Sequence, residues 1–184
     1  MSIIGSITRR PLSAAAMAVA ASAVTVVSLA APGDAAQVAA RIGAPQCQPG
    51  GAVVWMDTHS LGGAAGTVYY ALKVTNLSGR SCRMFGFPGV SAVSLRGTQL
   101  GAPASRTLNS VPERTITLRT GQTATAYLGI HEVIYFPRSS CRPVTAAGLR
   151  IYLPGQTGSK IVPYPFQTCS ARGQSSLSVS PVTR

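Results

Sequence analysis

Four cysteines behind an apolar N-terminal run constrain what this 184-residue chain can fold into more than any other feature. The run, residues 14–31, reads AAAMAVAASAVTVVSLAA; Arg9 and Arg10 precede it and small residues follow. That order is the pattern of a secretory signal peptide. Cleavage fits after Ala35, behind Gly33 and Asp34, or after Ala40, behind Val38 and Ala39. The expected organisation is a signal peptide over residues 1–35, a short linker over 36–46, and one domain over 47–184. The run is near the length of a membrane span, but its Ala, Ser and Thr content makes it weakly hydrophobic, which favours a cleaved leader over an anchor. Thr8-Arg9-Arg10-Pro11-Leu12 partly matches a twin-arginine signal, with Ser13 where a second apolar residue is usual. Both export routes stay open. Cys47 is too far from the apolar run, and too poorly flanked by Ala44-Pro45-Gln46, to serve as a lipoprotein cysteine.

Cys47, Cys82, Cys141 and Cys169 all lie in the mature part, and an even count in an exported chain reads as two disulfides. The gaps between them are 34, 58 and 27 residues, whereas the four thiolates of a zinc site normally come in close pairs. Of the three possible connectivities the sequential one is favoured, Cys47 with Cys82 and Cys141 with Cys169. Each such bridge closes a loop of some tens of residues and contributes roughly 3 to 4 kcal/mol in the chain-entropy account.

What the cysteines staple is a set of strands. From Gly66 the chain reads GTVYYALKVTN, in which Val68, Tyr70, Leu72 and Val74 alternate with Thr67, Tyr69, Ala71, Lys73 and Thr75. This is the two-residue period of a half-buried strand, closed by the turn residues Asn76-Leu77-Ser78-Gly79. The period recurs at residues 115–118, at Ala124, Ala126, Leu128 and Ile130, at Leu149, Ile151 and Leu153, and at Leu177 and Val179. Residues 53–56 and 90–95 add two weaker strands. No window beyond the export segment keeps a helical period with start and stop signals, so short strands between Gly and Pro turns predict an all-β sandwich.

The stretch RSCRMFGFPGV, residues 80–90, then reads as a corner between strands. Met84, Phe85 and Phe87 are its expected apolar anchors, Pro88 fixes its own φ, and Gly86 or Gly89 can take conformations other residues resist. Cys82 would fasten this corner to Cys47.

These motifs resemble those of the secreted actinobacterial proteins known as domain of unknown function 4232. The matching features are Cys47; Gly63-Ala64-Ala65-Gly66 before Tyr69-Tyr70-Ala71-Leu72; Val74-Thr75-Asn76-Leu77-Ser78-Gly79 before Cys82; and Phe87-Pro88-Gly89-Val90. Leu100-Gly101, Pro103-Ala104, Gly121-Gln122-Thr123-Ala124, Cys141 with Pro143, Gly148-Leu149-Arg150-Ile151-Tyr152, Pro154-Gly155 and Cys169 continue the series, so that the likeness runs from Cys47 to Val182. The resemblance implies an exported immunoglobulin-like β-sandwich and carries over no catalytic residues.

After cleavage at Ala35 the chain keeps fourteen Lys and Arg against Asp57, Glu113 and Glu132, a net charge of +11. Such a surface attracts polyanions. Nucleic acid is disfavoured, because the basic residues are scattered singly, no aromatic and basic stacking platform is visible, and the chain leaves the cytoplasm. Anionic cell-wall polymers or acidic proteins of the envelope fit better. The charge also has a plain compositional source, since twelve of the fourteen are Arg in a chain rich in Ala and Gly.

Two polar groups could carry chemistry: Asp57, Thr58 and His59 behind Trp55, and the pair His131-Glu132. A His with a carboxylate could act as a general base toward a serine, but neither group lies in a nucleophile-elbow pattern. A glycosidase would have to pair carboxylates drawn from Asp57, Glu113 and Glu132. A copper site could use His59, His131, Met56 and Met84, without any His-x-His or Met-rich cluster to support it. Residues 60–66 are glycine-rich but precede a strand, so they read as a flexible connection rather than a phosphate-binding loop. Asn76-Leu77-Ser78 matches a glycosylation sequon. The expectation is a secreted, non-enzymatic interaction domain with no catalytic residue, cofactor or metal, whose alternative is a small envelope enzyme or metal-binding protein using His59 and His131.

Overall fold

The computed structural model describes residues 43–108 and 111–184. The expected leader with both cleavage positions, and the linker up to residue 42, lie outside the described residues. In chain order the strands are β1 (Ala52–Met56), β2 (Gly63–Ala64), β3 (Thr67–Asn76), β4 (Cys82–Met84), β5 (Gly89–Val93), β6 (Gln99–Leu100), β7 (Ser105–Arg106), β8 (Ile116–Leu118), β9 (Thr123–His131), β10 (Pro143–Tyr152), β11 (Ser159–Cys169) and β12 (Leu177–Val179). One helical turn, α1 (Arg138–Cys141), follows the 3-10 turn at Val133–Tyr135.

The strands form three sheets. The largest runs β1-β3-β9-β12-β7, with β2 also on β3; the second runs β11-β10-β5-β6; and β4 pairs with β8. Every pairing between strands is antiparallel except β12 with β7. The result is an all-β, sandwich-like body. One continuous core takes Leu72, Val74, Ala124, Ala126, Leu128 and Ile130 from the first sheet, Val90, Ala92, Leu149, Ile151 and Val162 from the second, and Met84, Ile116 and Leu118 from the third. Leu72, Val74, Ile116, Leu118, Ala124, Ala126, Leu128, Ile130, Leu149 and Ile151 among them are residues whose two-residue period marks their strands in the sequence, since a pleated strand sends alternate side chains to one face. Tyr70 and Tyr164 join the two larger sheets: the Tyr164 hydroxyl donates to that of Tyr70 at 2.8 Å, with the rings edge-on at 5.4 Å. Burial, then this bond, pushes the Tyr164 phenol up to about 12.

The corner at 80–90 is built differently from expectation in one respect. Met84 is buried, but Phe85 is 56% exposed and so is no anchor; β4 is a strand, and its alternation turns Phe85 away from the core. Gly86 takes φ +87° and passes its carbonyl to the amide of Val182, a residue buried at the other end of the chain. Cys47 and Cys82 are bonded, and the Cys47 amide donates to the Arg83 carbonyl while the Arg83 amide donates to Pro45, so residues 45–47 run beside β4. Cys141 and Cys169 are likewise bonded.

Other expectations are corrected too. Residues 90–95 end as a strand at Val93, and Leu95 projects into solvent at 96% exposure. Residues 60–66 are not a loose connection throughout, because Gly63 and Ala64 pair with Val68 and Thr67 around a two-residue turn in which Ala65 has φ +49° and Gly66 φ +74°. Positive φ at both central residues matches the right-handed twist of a hairpin. Strand β11 was not marked by the sequence pattern at all. It carries Pro163 and Pro165, and it tolerates them as an edge strand with an irregularity opposite Ala146 and Gly148.

Candidate functional site

Asp57 and His59 sit just beyond β1, at the edge of the first sheet. The His59 amide and its Nδ1 each lie 3.1 Å from Asp57 Oδ1, the geometry of an Asx turn. The Lys73 ammonium is 3.8 Å from Asp57 Oδ2 and 4.9 Å from the centre of the Trp55 ring, its cross-strand partner. The bond from the His59 amide, then that from its ring, lowers the Asp57 carboxyl below its usual range. The His59 side chain is almost fully exposed. This is a solvated turn with a carboxylate already occupied by its neighbours.

His131 ends β9 opposite Thr67, and its Nδ1 lies 2.7 Å from Thr67 Oγ1. Burial lowers the His131 pKa. A hydroxyl held on an imidazole is the first half of a nucleophile and base pair, but among the described residues no carboxylate bonds His131 to orient it. The Glu132 amide goes to the Gly66 carbonyl. Met56 and Met84 are in the core. Among the described residues, no three His, Cys, Asp or Glu side chains gather into a metal-holding group, and no helix is long and apolar enough to cross a membrane. The two polar groups of the sequence therefore stay separate arrangements.

Asn76 is a third case. Its side chain is 1% exposed; Nδ2 donates to the carbonyls of Arg80 (2.8 Å) and Leu118 (2.9 Å), and Oδ1 accepts from the amide (3.0 Å) and hydroxyl (2.8 Å) of Ser78. With every position taken in a buried corner, Asn76 is a structural residue and not a glycan acceptor in the folded domain.

The charge is less paired than the composition alone implies. Among the described residues thirteen Lys and Arg face three carboxylates, and only Lys73 makes an ion pair with one of them. Two of the arginines meet in a cleft that the sequence pattern did not indicate. It has a volume of about 720 Å³ and is lined by Ser139, Ser140, Arg142, Ser170, Arg172 and Gln174, with Ala171 and Gly173 completing the wall. The buried Cys141 to Cys169 disulfide, with Cα atoms 4.5 Å apart, joins its two sides. The Cys141 carbonyl accepts from the amides of Ser170 (2.9 Å) and Ala171 (3.1 Å), and the Arg142 carbonyl accepts from the Ser170 amide (3.2 Å) and hydroxyl (2.8 Å). Arg142 itself stands at φ +51°, where a glycine is usual after a helical turn. Position in the chain held the missing signal: Arg142 follows one cysteine directly and Arg172 comes three residues after its partner, so the pairing brings them together.

A family model described as Domain of unknown function (DUF4232) matches residues 47–183. The chain belongs to this family. The match begins at the first cysteine and runs through Val182, so it takes in both disulfides and the cleft. No curated protein and no solved structure matches the chain.

Proposed function

We propose that this chain is an exported, non-enzymatic binding domain, an immunoglobulin-like sandwich from Cys47 onward, that works at or outside the cell envelope by holding an anionic envelope polymer. The observation that carries the reading is the imbalance, among the described residues, of thirteen basic side chains against three carboxylates, with a single ion pair to Asp57 from a Lys or Arg. Cations without partners keep their field available to an outside polyanion. Two disulfides closing both halves of the domain suit an oxidising compartment.

An acidic protein is the other partner the charge would accept, and an envelope enzyme or metal carrier on His59 and His131 is the other class of function. The contact of Thr67 with His131 is what favours the latter. The His59→Ala/His131→Ala double variant separates the classes, since binding to polyanions should survive it.

The direct test is sedimentation of the mature protein with purified wall material. Bound protein should fall steeply as NaCl is raised from about 50 to about 300 mM, because the Debye length shrinks over that range. Absence of binding, or binding insensitive to salt, would count against the proposal.

A further inference from the structure

We propose that the cleft between residues 139–142 and 170–174 is where the domain grips an oxyanion of an acidic glycopolymer, with Arg142 and Arg172 as two guanidinium forks in its lining. The inference rests on the polymer-binding reading above and gives it an address.

Three features single out this cleft. Its frame is cross-tied: a disulfide and four hydrogen bonds hold the Cys141 and Arg142 backbone to Ser170 and Ala171. Its charged groups are uncommitted, for the exposed guanidinium groups of Arg142 and Arg172 have no partner among the described residues, and no carboxylate lines the cleft. The third feature is backbone conformation. Arg142 holds the left-handed region that glycine occupies at lower cost, yet the residue there is an arginine. Non-glycine residues in that region tend to mark functional sites.

The chemistry of the lining selects the ligand. A guanidinium presents paired donors that match the two oxygens of a phosphodiester or of a uronate carboxylate. Ser139 adds a hydroxyl with no bond among the described residues, and Ser170 adds one that donates to the Arg142 carbonyl and can still accept. Hydroxyls of this kind suit the sugar or polyol units between the anions. A protein partner is favoured less, because protein interfaces centre on buried apolar or aromatic anchors and Ala171 is the only apolar residue in the lining.

The test uses the mature chain and two double variants that remove the same charge: Arg142→Gln/Arg172→Gln in the cleft and Arg96→Gln/Arg119→Gln in exposed turns elsewhere. Circular dichroism and a thermal melt establish that both remain folded. Titration calorimetry then measures binding of poly(glycerol phosphate), polygalacturonate and polyglutamate at low salt. The cleft variant should lose about tenfold or more in affinity for the phosphodiester polymer, the uronate polymer, or both, against about twofold for the control. The polymer that shows the larger loss identifies the anion. Equal losses in the two variants would overturn the cleft while leaving the binding function intact. Wild-type protein that binds none of the three would overturn the function itself, and a cleft-dependent preference for polyglutamate would replace the glycopolymer with an acidic protein.

Discussion

Asn76 shows how much a single polar side chain does in this domain. It ends β3, and its amide group ties three segments, donating to the carbonyls of Arg80 and Leu118 and receiving Ser78. Asn76→Ala removes four hydrogen bonds, two from Nδ2 and two to Oδ1, at a buried position, so a loss of about 3 kcal/mol is expected in urea unfolding. His131 acts through protonation. Burial places its folded pKa below the unfolded value of 6.5, so the folded state favours the neutral ring. The stabilisation is full above pH 6.5 and is lost as pH falls through the unfolded and then the folded pKa, because the unfolded chain takes up its proton first. The urea midpoint of the wild type should therefore drop between pH 7.5 and pH 5 by more than that of His131→Asn.

At the scale of elements, the contrast between β3 and β11 explains what sequence reasoning reaches. In β3 the core-facing residues alternate with Lys73 and Thr75, whose outward side chains announce a half-buried strand. In β11 the outward positions hold Ile161, Pro163 and Pro165, so polarity gives no alternation and two prolines argue for a break. An edge position with an irregular register accommodates them, and neither condition is visible before the partner strand is known. Gly148 marks the same place from the other side. A Cβ there would stand 2.5 Å from the Val162 carbonyl oxygen and 3.1 Å from the Pro163 Cα, both backbone atoms that cannot swing aside. Gly148→Ala should cost about 3 kcal/mol by prising β10 from β11. Gly50→Ala, with nothing within 4 Å of the added carbon, should stay within about 0.5 kcal/mol of wild type.

For the molecule as a whole, the all-β class was readable because strand periods and turn residues are local. The binding cleft was not, since Arg142 and Arg172 stand thirty positions apart and become neighbours only through a covalent link between two other residues. The candidate residues that are readable, Asp57 with His59 and His131 with Glu132, are neighbours in the chain, and each pair stays a local arrangement: Asp57 and His59 close a turn beyond β1, and His131 bonds across the sheet to Thr67. Strand β10 leaves Cys141 at one end of the body and at the other delivers Pro154, whose carbonyl takes the side chain of Gln46 at 2.9 Å. The ten residues of that strand span roughly 33 Å. The chain thus enters at the foot of the domain and the arginine pair sits at its head. A ligand gripped at the head is therefore held a whole strand's length from the point where the described chain begins.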